Sequence, residues 1–326
     1  MKRPWLLPLV PLYAAGAALR WATVRPKRLT WPVISVGNLS AGGTGKTPFT
    51  IALAQLLARE GLQVDVLSRG YGRQGREVTR VDPNGNAAQF GDEPLLIARS
   101  NGVPVYVASL RWEAGKLAER DASSERGIHI LDDGFQHRQL ARQIDIVLVN
   151  SEDLGDSLLP AGNLREGLSA LRRATVLAIA AEDDTAVARV QSLSLHQPIW
   201  RFRREMVVPQ IPPSLASSRF LAFCGIARPA QFFSGLESQQ IQIAAQRSFP
   251  DHHPYTAADL EDLRKLAISS GSAALITTAK DLLRLGLLAD RSQLSLPILA
   301  ADLQITLENE AGIAASLRRN LRLNPN

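Results

Sequence analysis

The chain has 326 residues, enough for one large domain or two ordinary ones, and its 45% apolar and 21% charged content excludes a disordered chain. A single cysteine, Cys224, excludes an internal disulfide framework and a cysteine-rich metal site, and it suits a reducing compartment. Lys plus Arg number 37 against 31 Asp plus Glu, so the formal net charge is +6 and the expected partner is anionic; without zinc-finger spacing or a long Lys/Arg run, nucleic acid is not expected.

The N-terminal stretch "MKRPWLLPLVPLYAAGAALRW" is basic, then apolar over residues 4–19, then basic again. It is too short for a spanning helix, which needs about 20 apolar residues, and Pro4, Pro8 and Pro11 interrupt it. A secretory signal and a buried core helix are two alternatives. An interfacial helix fits better. Trp5, Tyr13 and Trp21 suit the headgroup level, and Lys2, Arg3, Arg20, Arg25, Lys27 and Arg28 would meet anionic lipid at about 1 kcal/mol each.

Short apolar, β-branched runs follow at residues 33–36, 64–67, 103–107, 128–131, 144–149 and 176–180. Helical patterns lie between several of them, as at 46–60 and 93–100. This alternation predicts an α/β fold, a parallel sheet flanked by helices. At residues 207–218 the composition shifts to "VVPQIPPSLASS", a linker or connecting ribbon. Beyond it, "RFLAFCGIA" and "AALITTA" read as strands and 257–269 and 279–287 as helices, which predicts a second, smaller α/β domain.

Between the first strand and the helix from Lys46 lies "SVGNLSAGGTGKTPF", close to the phosphate-loop pattern G-x-x-x-x-G-K-[ST]. Ser40 stands where that pattern has its first glycine. The fold class is therefore P-loop NTPase-like. Gly42, Gly43, Thr44 and Gly45 would turn backbone N–H groups toward phosphate oxygens at a helix N-terminus. Lys46 would reach the β- and γ-phosphates of ATP, and the Thr47 hydroxyl would ligate Mg²⁺. ATP is found in the cytoplasm, which argues against a secretory signal.

Acidic residues come next. "IHILDDGFQHR" ends a strand in Asp132 and Asp133, the Walker-B arrangement, with Asp132 the first choice for the metal. "QFGDEPLLIARS" sets Asp92 at the start of a helical pattern, as an N-cap or as a carboxylate base for a hydroxyl nucleophile. In "FPDHHPYTAADLEDLRKL", Asp251, His252 and His253 precede the helix-capping Thr256, and a histidine here could tune a carboxylate from the other domain. No third or fourth zinc ligand stands near them at a recognisable spacing.

These stretches, with "PLYAAGAALR", "LSRGYGR", "LPAGNLRE", "FCGIARPAQF" and "TTAKD", run across nearly the whole chain and resemble one family, the tetraacyldisaccharide 4'-kinases of lipid A synthesis. The resemblance implies transfer of the γ-phosphate of ATP to the 4'-hydroxyl of a tetraacylated disaccharide 1-phosphate, giving the lipid A precursor lipid IVA. It implies three parts: a membrane-associating segment (1–28), a nucleotide-binding kinase domain (29–206) and a smaller α/β domain closing the cleft (207–326). It further implies that Lys46 and Thr47 bind phosphate and Mg²⁺ and that Asp132 and Asp133 serve the metal. Asp92 is then the base, His252 its partner, and Arg111 and Arg165 meet anionic substrate. A monomer, peripheral or monotopic on the cytoplasmic face of the bacterial inner membrane, is the expected state. Two positions depart from the family pattern: Gly167 follows "LRE" where proline is common, and Ala279 replaces the glutamate of "TEKD". The rival reading is a P-loop membrane-targeting ATPase. Its loop usually carries a lysine where this chain has Ala41.

Overall fold

The computed structural model describes residues 3–208, 210–288 and 296–322; Lys2, Pro209 and the side chain of Arg20 lie outside that description. A 3₁₀ turn at Pro4–Leu9 leads into α1 (Val10–Ala22). The chain then alternates through β1 (Val33–Asn38), α2 (Lys46–Arg59), β2 (Val64–Ser68), β3 (Thr79–Arg80), α3 (Ala87–Phe90), α4 (Asp92–Asn101) and β4 (Val105–Val107). It continues with α5 (Arg111–Asp121), β5 (Ile128–Leu131), β6 (Ile144–Val149), α6 (Ser151–Leu154), β7 (Val176–Ala180), α7 (Asp184–Ser192) and β8 (Ile199–Val207). After an irregular connection come β9 (Phe220–Cys224), α8 (Pro229–Ser238), β10 (Ile243–Ser248), α9 (Ala257–Ser270), β11 (Ala274–Thr278), α10 (Ala279–Leu285), β12 (Ile298–Leu307) and α11 (Glu310–Leu321).

The strands form one sheet in the order β10-β9-β11-β12-β8-β7-β6-β1-β5-β2-β4-β3. Pairing is parallel except for β3 with β4 and β12 with β8. β1, β2, β4, β5, β7 and β9 are buried along their whole length, because helices cover both faces, and this is why they read as continuous apolar runs. β8 and β12 carry charged and polar residues among apolar ones because part of their length is open to solvent. β8 also carries regular structure through Val207, so the expected linker starts just after that residue.

The register places the site. β12 pairs its residues 298–301 with β11 and its residues 302–307 with β8, antiparallel. The strands on either side of that pair therefore run toward each other, and their carboxyl ends meet across a cleft. A Cβ placed on Gly43, at the carboxyl end of β1, would lie 3.6 Å from Ala227, which follows β9.

Phe49 fixes the helix that starts at the phosphate loop. It is fully buried, and its ring meets Phe202 of β8 edge-on at 5.5 Å. Phe49→Ala is expected to cost about 3–5 kcal/mol, through lost transfer energy and the cavity left behind. Denaturant unfolding would measure it, and a loss under about 1 kcal/mol would mean that the core closes over the gap.

None of residues 3–19 is buried. Trp5, Leu7, Leu9, Leu12 and Leu19 are exposed, so this segment is not the core helix that was one reading of it. It is held by polar and cationic contacts: the Tyr13 hydroxyl donates to the Arg165 carbonyl at 3.2 Å, and the Arg138 guanidinium lies 4.1 Å from the Trp21 ring centroid. No described helix is long and apolar enough to cross a membrane.

Candidate active site

The loop between β1 and α2 begins with a pinned turn. Ser40 is buried, donates through Oγ to Asp153 Oδ2 at 2.8 Å and accepts from Asn38 Nδ2 at 3.1 Å. The next residue, Ala41, donates its N–H to the Asn163 carbonyl at 2.8 Å. Side-chain and backbone contacts thus fix the turn, and Ser40 does not need positive φ. Further along, Gly42 (φ 146°) and Gly45 (φ 88°) do take the left-handed region, which a side chain would strain. Lys46 curls back over the loop, donating to the Gly42 carbonyl at 3.3 Å, and its Nζ stands 3.5 Å from Asp133 Oδ1.

Asp132 and Asp133 follow β5, the neighbour of β1, and behave differently. Asp132 is buried and accepts from Thr50 Oγ1 at 3.2 Å and Ser68 Oγ at 3.4 Å. Burial first, then the nearby charges of Glu93 and Asp133, push its carboxyl up to about 7. Asp133 has φ 46° and accepts from Arg165 Nη1 at 3.0 and 3.2 Å. Burial opposes its ionisation, but Lys46 and Arg165 outweigh burial and hold it below the usual carboxylate range.

Asp92 opens α4, and the N-cap position falls on Gly91 instead. Its carboxylate turns across the cleft, with Oδ2 3.3 Å from His252 Nδ1. Burial would raise the Asp92 pKa, but the hydrogen bond with His252 and the charges of Arg284 and Lys280 prevail and depress it strongly. The same hydrogen bond raises His252 above the usual imidazole value of 6.5. The histidine beside it is otherwise engaged: His253 Nε2 is 3.1 Å from Asp259 Oδ2, and its ring stacks on Phe249.

Lys46, Asp132, Asp133 and His252 line one cavity of about 1400 Å³, and Asp92, buried beside it, contacts His252. The cavity's lining includes the phosphate loop, Asp132, Asp133, Arg111 and Arg165, then Asp251, His252 and Lys280 from the part after β8, and Leu9, Leu12, Tyr13 and Trp21 from the N-terminal segment. Arg111 is buried at the start of α5, and its Nε has no partner among the described residues. Burial first, then the charge of Arg69, lowers its pKa to about 10. The structure thus brings Lys46, Asp132, Asp133, Arg111, Arg165 and His252 to one cavity, with Asp92 buried against His252.

A profile described as tetraacyldisaccharide-1-P 4'-kinase matches residues 2–322. The chain is 42% identical to the tetraacyldisaccharide 4'-kinase of Koribacter versatilis (strain Ellin345) over 315 residues, which cover 93% of this chain and 94% of that one. The chain belongs to the tetraacyldisaccharide 4'-kinase family. It is also 38% identical to the tetraacyldisaccharide 4'-kinase of Anaeromyxobacter dehalogenans (strain 2CP-C), over 86% of this chain and 81% of the other. Among solved structures it is similar to the "apo" form of LpxK from Aquifex aeolicus in complex with ATP, with a TM-score of 0.74 and 32% identity, covering 97% and 98% of the two chains.

The site of this lipid kinase fits a nucleotide and a divalent cation. Thr44 Oγ1 is buried in the loop without a partner among the described residues, and a Cβ on Gly42 would meet nothing within 4 Å. No group of three or more His, Cys, Asp or Glu among the described residues could hold a metal alone. Mg²⁺ is commonly held by one or two carboxylates together with substrate phosphates, and Asp132 and Asp133 line the cavity together with the phosphate loop.

Sequence reasoning missed part of the kinase's cleft. Lys280 Nζ meets Glu93 Oε1 at 2.6 Å, and Arg284 Nε donates to Asp92 Oδ2 at 2.9 Å. Lys280 and Asp281 belong to "TTAKD", but nothing local marks Arg284, which reads as one more helix-surface arginine.

Proposed function

We propose that Asp92 and His252 form the acid–base pair with which this kinase passes the γ-phosphate of ATP to the 4'-hydroxyl of a tetraacyldisaccharide 1-phosphate. Family membership gives the reaction, ATP-dependent phosphorylation in lipid A biosynthesis. The observation that carries the residue roles is the 3.3 Å approach of Asp92 to His252, which lines the cavity that holds Lys46. A sugar hydroxyl is a weak nucleophile, and a positioned base helps it most as the phosphoryl group begins to transfer. Asp92 accepts the hydroxyl's hydrogen bond, and His252 stabilises or receives the proton. Lys46 contacts the β- and γ-phosphates, with backbone N–H groups of Gly42, Gly43, Thr44 and Gly45 around them. Mg²⁺, when bound, neutralises charge on the β- and γ-phosphates, and Thr47, Asp132 and Asp133 would hold it. Arg111 and Arg165 add positive charge toward substrate phosphate.

Purified protein, ATP and the monophosphorylated lipid disaccharide should give a doubly phosphorylated product. No product from demonstrably folded protein would overturn the reading.

The pair sets a pH dependence. Asp92, depressed by its partners, stays ionised across the working range, whereas His252 must be neutral to take a proton. Its raised pKa means that kcat falls as the pH drops through a value above 6.5 and recovers as the pH rises. In His252→Gln the residual rate should lack this inflection; an inflection that persists would assign it to another group.

The division at residues 28 and 206 belongs to the same reading, with the part after 206 closing the cleft over a monomer's single site. Trp5, Leu7, Leu9, Leu12 and Leu19 are exposed in a segment flanked by basic residues, and Leu9 and Leu12 also line the cavity. They would seat the enzyme on the anionic cytoplasmic face of the bacterial inner membrane while the substrate's acyl chains stay in the bilayer. Each buried leucine contributes about 1.5–3 kcal/mol. Leu12→Glu with Leu19→Glu should therefore weaken binding to anionic vesicles by about tenfold or more, without lowering the Tm. Unchanged sedimentation with vesicles would reject this seating.

A further inference from the structure

Arg284 spends each guanidinium nitrogen on the cleft. Nε donates to Asp92 Oδ2 at 2.9 Å, and Nη2 contacts the same oxygen. Nη1 donates to the Gly225 carbonyl at 2.7 Å and to Asp281 Oδ1 at 3.0 Å, and Nη2 stands 3.2 Å from His252 Nδ1. Asp281 is itself fully buried and held: Thr278 Oγ1 donates to it at 2.6 Å, the Tyr255 hydroxyl at 3.0 Å and the Gly225 N–H at 3.1 Å. The arginine is therefore fastened to the strands after β8 and presents a rigid fork to a carboxylate from the strands before it.

We propose that Arg284 is a positioning residue for phosphoryl transfer, holding Asp92 by Oδ2 beside His252 so that Oδ1 is left for the acceptor hydroxyl. The proposal rests on Asp92 and His252 being the acid–base pair. Both contacts to Arg284 and the approach of His252 use Oδ2, and no hydrogen bond reaches Oδ1 among the described residues. A planar fork tied at both ends sets a carboxylate's rotation, which a lysine's single ammonium cannot do. The charged and titratable groups that face the pair are Arg284, Lys280 and Asp281 from α10, Glu93 from α4, Asp251 from the loop carrying His252 and Tyr71 from the loop after β2, whose ring meets the His252 ring edge-on at 5.2 Å. Asp92 and Asp251 favour the imidazolium of His252, and Arg284 disfavours it. Removing the arginine should therefore move the His252 inflection to higher pH.

The test compares Arg284→Met, Arg284→Lys and Asp92→Asn in the full chain, with kcat, the KM for ATP, pH profiles and thermal unfolding for each. A misplaced base costs about 100-fold in rate, so Arg284→Met should lower kcat by about that factor while the KM for ATP changes less than about twofold. Its inflection should rise, and Arg284→Lys should recover the inflection but only part of kcat. Adding Arg284→Met to Asp92→Asn should cost nothing further, because the arginine acts through that carboxylate. Wild-type kcat with an unmoved inflection in Arg284→Met, or losses that multiply in the double variant, would overturn the proposal. If Arg284→Met does not fold, full kcat in a folded Arg284→Lys would overturn it instead. An Asp92→Asn enzyme at wild-type rate would show that the acid–base assignment itself is wrong, whatever Arg284 does.

Discussion

Asp92→Asn is expected to lower kcat by about 10²–10⁴-fold while the enzyme still folds and binds ATP. The amide keeps the size of the side chain but neither accepts a proton nor pairs with Arg284 as a carboxylate does. Asparagine is preferable to alanine because Asp92 is buried and touches Arg284 and His252. Truncating one member of such a cluster leaves the others poorly matched and mixes a stability loss into the kinetics. Steady-state kinetics with lipid acceptor and ATP, beside a thermal melt, separates the two. An Asp92→Asn enzyme with near-normal kcat would remove the base assignment.

Lys46→Ala should be comparably severe, lowering kcat by about 10²–10³-fold, the usual effect of removing one preorganised group aimed at developing charge. The KM for ATP should also rise, because the lysine contacts phosphate in the ground state as well. Its position makes the expectation specific: Nζ is held between the Gly42 carbonyl and Asp133, at the mouth of a loop whose backbone is already turned inward. Lys46→Arg should not restore the rate, since the longer planar group does not fit where a compact ammonium sits. Full activity in Lys46→Ala would show that the loop does not hold the transferring phosphate.

Much of this site was legible before folding because its parts are local. A buried strand, a glycine turn and a helix start occur within a few residues of one another, so "SVGNLSAGGTGKTPF" could be placed on β1, the loop and α2. Asp132 and Asp133 were legible for the same reason, as the end of an apolar strand. Strands buried on both faces announce themselves; β8 and β12 do not, because charged and polar residues facing solvent break up their apolar pattern. Arg284 was illegible for a different reason. Its role depends on an antiparallel pairing that brings α10 against α4, and no spacing along the chain encodes that meeting. The Ser40 substitution was visible, but its meaning needed Asp153 and Asn38, which hold the serine in place of a glycine's freedom.

The strand β12 serves both sets of parallel strands, giving residues 298–301 to one and 302–307 to the other. The two walls of the active site are thus not beads on a flexible string. They are mounted on the ends of a hydrogen-bonded two-stranded bar, β8 with β12, that resists stretching and sliding but yields to torsion. Sliding the bar by one residue would turn its side chains to the opposite face, so the register is locked. What remains is a change of pitch. The distance from Lys46 and Asp92 on one wall to His252 on the other would then be set as an angle on a torsion bar, not as the span of a hinge.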